Sequence, residues 1–462
     1  MQAFKRKYIG DRAFYRMVLA IVIPIMIQNA ITNFVSLLDN LMVGQVGTEP
    51  MSGVAIANQL MFVLNLTIFG GMSGAGIFAA QFHGAKNQEG VRSCFRYKVL
   101  LCAVLVIGAT ALFLLRGEQL IGLYLHDEAN PAKIAETLGH SLRYLRAMLW
   151  GIPAFAITQV YASTLRETGE TALPMRAGII AVCVNLVFNW LLIFGHLGFP
   201  AMGVEGAAIA TVISRYVELS VVAVFTHLNP NRFPFIRGIY ATLKVPAALA
   251  KEITVKGMPL LINEAVWSLG MATLTQCYSI RGLDVVAAMN ISSTVSNLFA
   301  VTIFSMGSAV SILVGQALGS GDLEAAKTMA WKLIAFGLFL SVCTGLLMIV
   351  FAPLIPRLYR TEDHVRVLAT GLLMIYALSS PLMSYANSAY FILRSGGKTL
   401  ITFVFDSGYT WVIAVPLAWC LVHLTALDVR AIYLIIQSAD FIKIFFGRML
   451  IKKGVWVNNM VG

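Results

Sequence analysis

Twelve predominantly apolar stretches of about 18 or more residues follow one another along this chain, near 14–43, 54–81, 97–115, 140–165, 174–196, 203–227, 251–279, 284–315, 326–353, 365–392, 399–422 and 427–450. As a helix rising about 1.5 Å per residue, each is long enough to cross the hydrocarbon of a bilayer. No soluble core needs twelve such segments, and a single anchor could not raise the mean hydropathy of the whole chain to +0.78. Only 12% of the 462 residues are charged and 58% are hydrophobic, against about a quarter charged in soluble domains. An ordinary soluble enzyme is therefore excluded. The expected fold class is an all-α integral membrane protein with twelve transmembrane helices.

The net charge of +12 could point to nucleic acid, but in a membrane protein basic residues collect in cytoplasmic connections, so no nucleic-acid partner is expected. With twelve spans both termini share a side. Of the Lys and Arg residues, 24 lie toward the connections on that side and 9 toward the opposite side, so the positive-inside rule puts both termini in the cytoplasm. The basic stretch Met1 to Arg16 precedes a long apolar run that contains Pro24 and lacks a small-residue cleavage site, and is read as leading into the first span rather than as a signal peptide. The six cysteines are scattered and form no Cys-x-x-Cys, so they are read as small buried hydrophobes.

Self-comparison reveals an internal repeat. Pro24 matches Pro259, Gly47 matches Gly282, Ser73 matches Ser308, Gln81 matches Gln316 and Gly84 matches Gly319, all at an offset of 235. The pattern Leu-Arg-x-x-Gly-x-Thr occurs at Leu165 and again at Leu393, at an offset of 228. Six helices per copy is an even number, so both copies start on the same side and the repeat is parallel. The expectation is two pseudo-symmetric six-helix lobes, 1–228 and 251–462, joined by a cytoplasmic linker at 229–250 and facing each other across a cleft. Secondary transporters use such a layout for alternating access.

The motifs resemble those of the multidrug and toxic compound extrusion (MATE) family of the MOP superfamily. In the first half the likeness rests on Pro24 with Asp39 and Met42-Val43-Gly44, on Gln81-x-x-Gly84-Ala85-Lys86, and on the run from Asn185 through Asn189 to Gly195 followed by Gly203-Val204-Glu205-Gly206. In the second half it rests on Asn263-Glu264-x-x-Trp267-x-x-Gly270, on Gly315-Gln316-Ala317-Leu318-Gly319, and on Asp406 with Trp411 and Pro416. The resemblance implies a cell-membrane antiporter, coupled to protons or sodium, that exports organic and often cationic, amphipathic compounds. It would be a monomer with lipid and a small organic substrate as its partners and no cofactor. The family commonly has Asn-x-x-x-Asp in the fifth helix, where this chain has Asn189 at the acid position.

A charge inside hydrocarbon costs several kcal/mol on insertion scales, so acids within spans are functional candidates. They are Asp39, Glu218, Glu264, Asp406 and Asp440. Asp39 falls at the same depth as Asn189, and Asn185 is one helical turn away on the same face. A carboxylate and two amides can hold a proton or a sodium ion, or can simply bond helix to helix. Glu264 and Asp406 can attract a cationic substrate or exchange it for a proton. Alternatively Asp406 pairs with Arg394 or Lys398, and Glu264 with Lys256. Glu218 with Arg215 and Asp440 with Lys443 read as local ion pairs at i,i+3. Pro24 and Pro259 are conformational candidates. A single carboxylate in the first lobe favours a proton over sodium, which prefers several charged oxygen ligands.

Two other functions compete. A flippase for a lipid-linked precursor would favour intramembrane Arg and Lys to hold pyrophosphate, whereas Arg215 is nearly the only such base here. An intramembrane enzyme would need a nucleophile with a base, or a metal cluster, at one depth, and no such pattern is present.

Overall fold

The computed structural model describes residues 7–125, 131–359 and 361–462, which form helices with no strand among them. They run as α1 (Arg12–Gly44), α2 (Thr48–Gly84), α3 (Gln88–Gly122), α4 (Pro131–Leu149 and Ile152–Glu167), α5 (Ala172–Phe194) and α6 (Gly203–Leu228). After a connection holding one turn of 3₁₀ helix (Pro234–Ile236) come α7 (Ala247–Ser279), α8 (Leu283–Gly319), α9 (Leu323–Phe351) and α10 (Asp363–Ser395). Next is α11, which starts at Thr399–Phe403, passes through two π-helical turns and ends at Val415–Leu424. The last is α12 (Val429–Ser438 and Asp440–Lys453). This is the twelve-helix membrane fold expected from the sequence, and nine of the described helices are long and apolar enough to cross a membrane by length and composition alone.

Two spans depart from single straight helices for visible reasons. The fourth begins at Pro131, earlier than its apolar core suggests, and breaks at Trp150-Gly151 just before Pro153. In α11 the π turns cover Val404–Gly408 and Thr410–Ala414. Pro24 and Pro259 lie inside α1 and α7, which continue through them, although proline has no N–H to give to the carbonyl four residues back.

By packing, the chain forms two compact units: Ile27–Ala79 with Gln88–Glu252, and the residues through Met26 with Ala80–Asn87 and Ile253–Gly462. In the first unit α5 and α6 lie very close, because Gly206 presents its backbone to Leu192, where a Cβ would stand 2.5 Å from the carbonyl oxygen. Leu191, Leu192 and Ala210 fill that seam. The residues after α6 are held rather than loose: Arg92 Nε donates to the Phe235 carbonyl at 3.2 Å and Arg96 Nε to the Ile239 carbonyl at 3.0 Å. Arg232 pairs with Glu170.

Lys98 in α3 is fully buried and meets Glu167 at 2.5 Å, with the Ser163 and Thr164 hydroxyls also accepting from it. Removing one member of a buried pair leaves the other charge without compensation and costs about 3–5 kcal/mol. Lys98→Met should therefore lower the melting temperature of the detergent-purified protein markedly, and the double change with Glu167→Gln should recover most of the loss. A single variant as stable as the parent would mean that the pair contributes nothing.

In the second unit the ends of α2 and α8 cross at the repeated Gln-x-x-Gly. A Cβ on Gly84 would stand 2.0 Å from the Gln316 carbonyl oxygen, and one on Gly319 would stand 1.9 Å from that of Gln81. Each repeat supplies the glycine that the other's backbone needs. Gln81 is fully buried, donating to the Ser395 carbonyl at 2.9 Å and accepting from the Met460 N–H at 2.8 Å. Around this crossing Val18, Val22, Val310, Leu313, Leu333 and Leu393 belong to one large apolar cluster.

Candidate functional site

The first unit brings three of the singled-out residues together. Asn189 Nδ2 donates to Asp39 Oδ1 at 2.6 Å and to Asn185 Oδ1 at 3.1 Å, and Asn185 Nδ2 donates to Thr211 Oγ1 at 3.3 Å. The i,i+4 spacing stacks Asn185 and Asn189 on one face of α5, and the close α5–α6 seam carries Thr211 to that face. Both amides are buried. Asn189 spends both of its amide hydrogens, and its buried Oδ1 has no donor, so the cluster retains one acceptor that an added proton or cation would satisfy.

Arg215, one turn beyond Thr211 on α6, is within electrostatic reach of Asp39 and forms an ion pair with Glu218 at 3.3 Å. That i,i+3 pair was legible in the sequence. Tyr144 on α4 donates to Asn58 Oδ1 at 3.2 Å. Beside Thr211 and Arg215, the break in α4 leaves a cavity of about 40 Å³ lined also by Asn65, Gly151 and Phe155, room on the scale of a single water.

The second unit gathers the other two. Asp406 lies in the first π turn of α11, where its Oδ1 accepts from Lys443 Nζ at 3.0 Å and its Oδ2 from Asn263 Nδ2 at 3.2 Å. The cation at Asp406 is thus Lys443 of α12, in place of Arg394 or Lys398, and Lys443 bonds to Asp406 in place of its own-helix neighbour Asp440. Ser407 Oγ donates to Asn263 Oδ1 at 2.6 Å, and Trp411 Nε1 donates to the Val266 carbonyl at 2.9 Å. Gly270, seven residues after Asn263 and so on the same face of α7, lets α11 approach until a Cβ would stand 2.6 Å from Thr410. Glu264 is half-buried, within electrostatic reach of Arg394 and Asp406.

The sequence reading passed over Thr211 as a site residue, had Asn263 only within a motif and gave Lys443 only as a partner of Asp440. Asn263 carried a signal, since its spacing to Gly270 marks one helix face. Among the described residues no three His, Cys, Asp or Glu side chains converge on a common point.

The family model described as MatE matches residues 24–191 and again 259–420, once in each half of the repeat. The chain is 26% identical over 404 residues to a probable multidrug resistance protein NorM of Thermotoga maritima, covering 87% of this chain and 84% of that protein. It is 27% identical over 422 residues to the probable multidrug resistance protein YoeA of Bacillus subtilis, covering 89% and 88%. Among solved structures, a MATE transporter of Vibrio cholerae superposes with a TM-score of 0.84 at 16% identity over 96% of this chain and 97% of that one. A MOP superfamily transporter of Pyrococcus furiosus gives 0.81 at 20% identity over 98% of each chain.

Proposed function

Because the chain belongs to the MATE family of multi-pass membrane transporters, which are not enzymes, we propose that it exports cationic, amphipathic organic compounds from the cytoplasm in exchange for protons. The single observation that carries the choice of proton is the cluster at Asp39: one carboxylate, bonded to Asn189 at 2.6 Å and backed by Asn185. Sodium would find there one carboxylate and amide oxygens, with the Arg215 guanidinium already in electrostatic range. A proton needs only the carboxylate.

The reaction follows from alternating access. Exposed to the outside, Asp39 takes up a proton; a neutral carboxyl no longer holds a cation, so substrate leaves outward. Exposed to the cytoplasm, it loses the proton and the restored charge again favours a cation. Glu264 and Asp406 supply a second acidic locus for the same substrate class. Pro24 and Pro259 give α1 and α7 a missing backbone bond about which each helix can bend.

In this reading the lobes are 1–228 and 251–462 with the connection 229–250 on the cytoplasmic face. The protein works as a monomer in the plasma membrane with both termini inside. Single cysteines introduced at Glu49 and at Lys86 should then label from opposite sides of the membrane, and labelling from the same side would contradict the topology. Exchange itself is tested in energised everted vesicles, where adding a cationic substrate should dissipate the pH gradient. Substrate uptake with no change in that gradient would overturn proton exchange.

A further inference from the structure

We propose that the groove between α11 and α12 holds an acyl chain of one anionic phospholipid, whose phosphate is received by Lys398 and Lys453 at the groove's end. The groove encloses about 500 Å³ and is lined from Leu400 to Ile413 on α11 and from Ile442 to Leu450 on α12. At about 1.5 Å per residue the α11 wall is ~20 Å long, enough to run the depth of one leaflet, half of a hydrocarbon core about 30 Å thick. Leu400, Val404 and Val412 are 67%, 61% and 75% exposed, so the wall opens to the surrounding lipid chains. Gly408, midway between the two valines, leaves a notch in it. The one charged side chain in the lining, Lys443, is already matched by Asp406 at 3.0 Å. The interior therefore offers apolar surface with no unmatched charge, which suits a hydrocarbon chain rather than an ionic group.

The free charge lies at the end. Lys398 begins α11, three residues before Ile401. On α12, Phe446, Leu450 and Lys453 follow one another at spacings of four and three, so Lys453 continues the face that lines the groove. Its neighbour Lys452 falls on the other side of the helix. The two ends meet because the turn between α10 and α11 packs on the segment after α12, where a Cβ on Gly396 would stand 1.8 Å from the Trp456 carbonyl oxygen. Lys453 is exposed and Lys398 half-buried. No Asp or Glu occurs between Asp363 and Asp406 or after Asp440, and Asp406 is bonded to Lys443. Basic groups at the end of a pocket between membrane helices hold anionic headgroups, and a lipophilic cation would meet like charge at this mouth. The lipid belongs to the leaflet on the side of the C-terminus.

The site is for a resident lipid and does not depend on the coupling ion. Its test uses the full protein in nanodiscs of phosphatidylcholine, with phosphatidylglycerol carrying a diazirine in one acyl chain as photo-reactive probe. Labelling should saturate and fall on peptides within 400–413 and 442–450. Unlabelled phosphatidylglycerol should compete, whereas phosphatidylcholine of the same chains, glycerol phosphate and tetraphenylphosphonium should not. Lys398→Gln and Lys453→Gln should each weaken labelling by about fivefold, the effect of one basic group at an anionic surface, and Lys453→Arg should restore it. Lys452→Gln removes the same charge from the other side of the helix and should leave labelling unchanged. Val404→Trp, which fills the groove from a lipid-facing position, should weaken labelling by about tenfold. Equal competition by phosphatidylcholine, competition by the phosphonium, equal losses at Lys452 and Lys453, or indifference to Val404→Trp in a protein that elutes as the parent does would overturn the site.

Discussion

Asp39→Asn should abolish gradient-driven export of a cationic substrate while the protein still reaches the membrane at normal levels. The change preserves the size of the side chain, and its amide can still bond to Asn189, so the helix contact at 2.6 Å has a substitute. What disappears is the titratable group. With no proton to take up and release, the first unit offers the same cation affinity on both sides of the membrane. A ligand state that favours neither conformation shifts no equilibrium. The expected result is a fall in active efflux of at least about a hundredfold, of the order seen when a group essential to a coupled step is lost. Downhill movement of substrate should survive. Measured as dye efflux from vesicles with matched protein content, full retention of pumping would reduce Asp39 to a helix contact.

Gly319→Leu should be among the most destabilising single changes in the second unit. The added Cβ would lie 1.9 Å from the Gln81 carbonyl oxygen, a distance no rotamer can relieve because the obstacle is backbone. Gln81 itself is tied to Ser395 and Met460, so the displacement spreads through the crossing of α2 and α8. The loss should exceed about 4 kcal/mol, the range reserved for named steric failures. Gly108→Ala in α3, where nothing lies within 4 Å of the added carbon, should leave stability unchanged or slightly raised. Thermal unfolding followed by size-exclusion chromatography separates the two outcomes, and equal melting temperatures for Gly319→Leu and the parent would contradict the close crossing.

The number and order of the helices were legible because apolar length is a direct requirement of the bilayer. The repeated Gln-x-x-Gly was legible as a pattern, but its reason, a reciprocal approach of Gly84 to Gln316 and of Gly319 to Gln81, needs coordinates. The joining of Asp39, Asn189 and Asn185 followed from matched depth and helical stacking. Other pairings were hidden because they cross between helices. Lys443 has an acid three residues before it on its own helix, and local spacing alone selects Asp440, while packing delivers it to Asp406. The π turns around Asp406 leave no period in the sequence, and the break at Gly151 is masked by apolar residues on either side.

The central claim, that a single carboxylate in the first unit couples export to protons, is tested most directly in reconstituted vesicles with the two gradients imposed one at a time. A pH gradient at zero sodium should drive uphill movement of a cationic substrate, and a sodium gradient at clamped pH should drive none. Export driven by sodium at clamped pH, with no response to the proton gradient, would contradict the account.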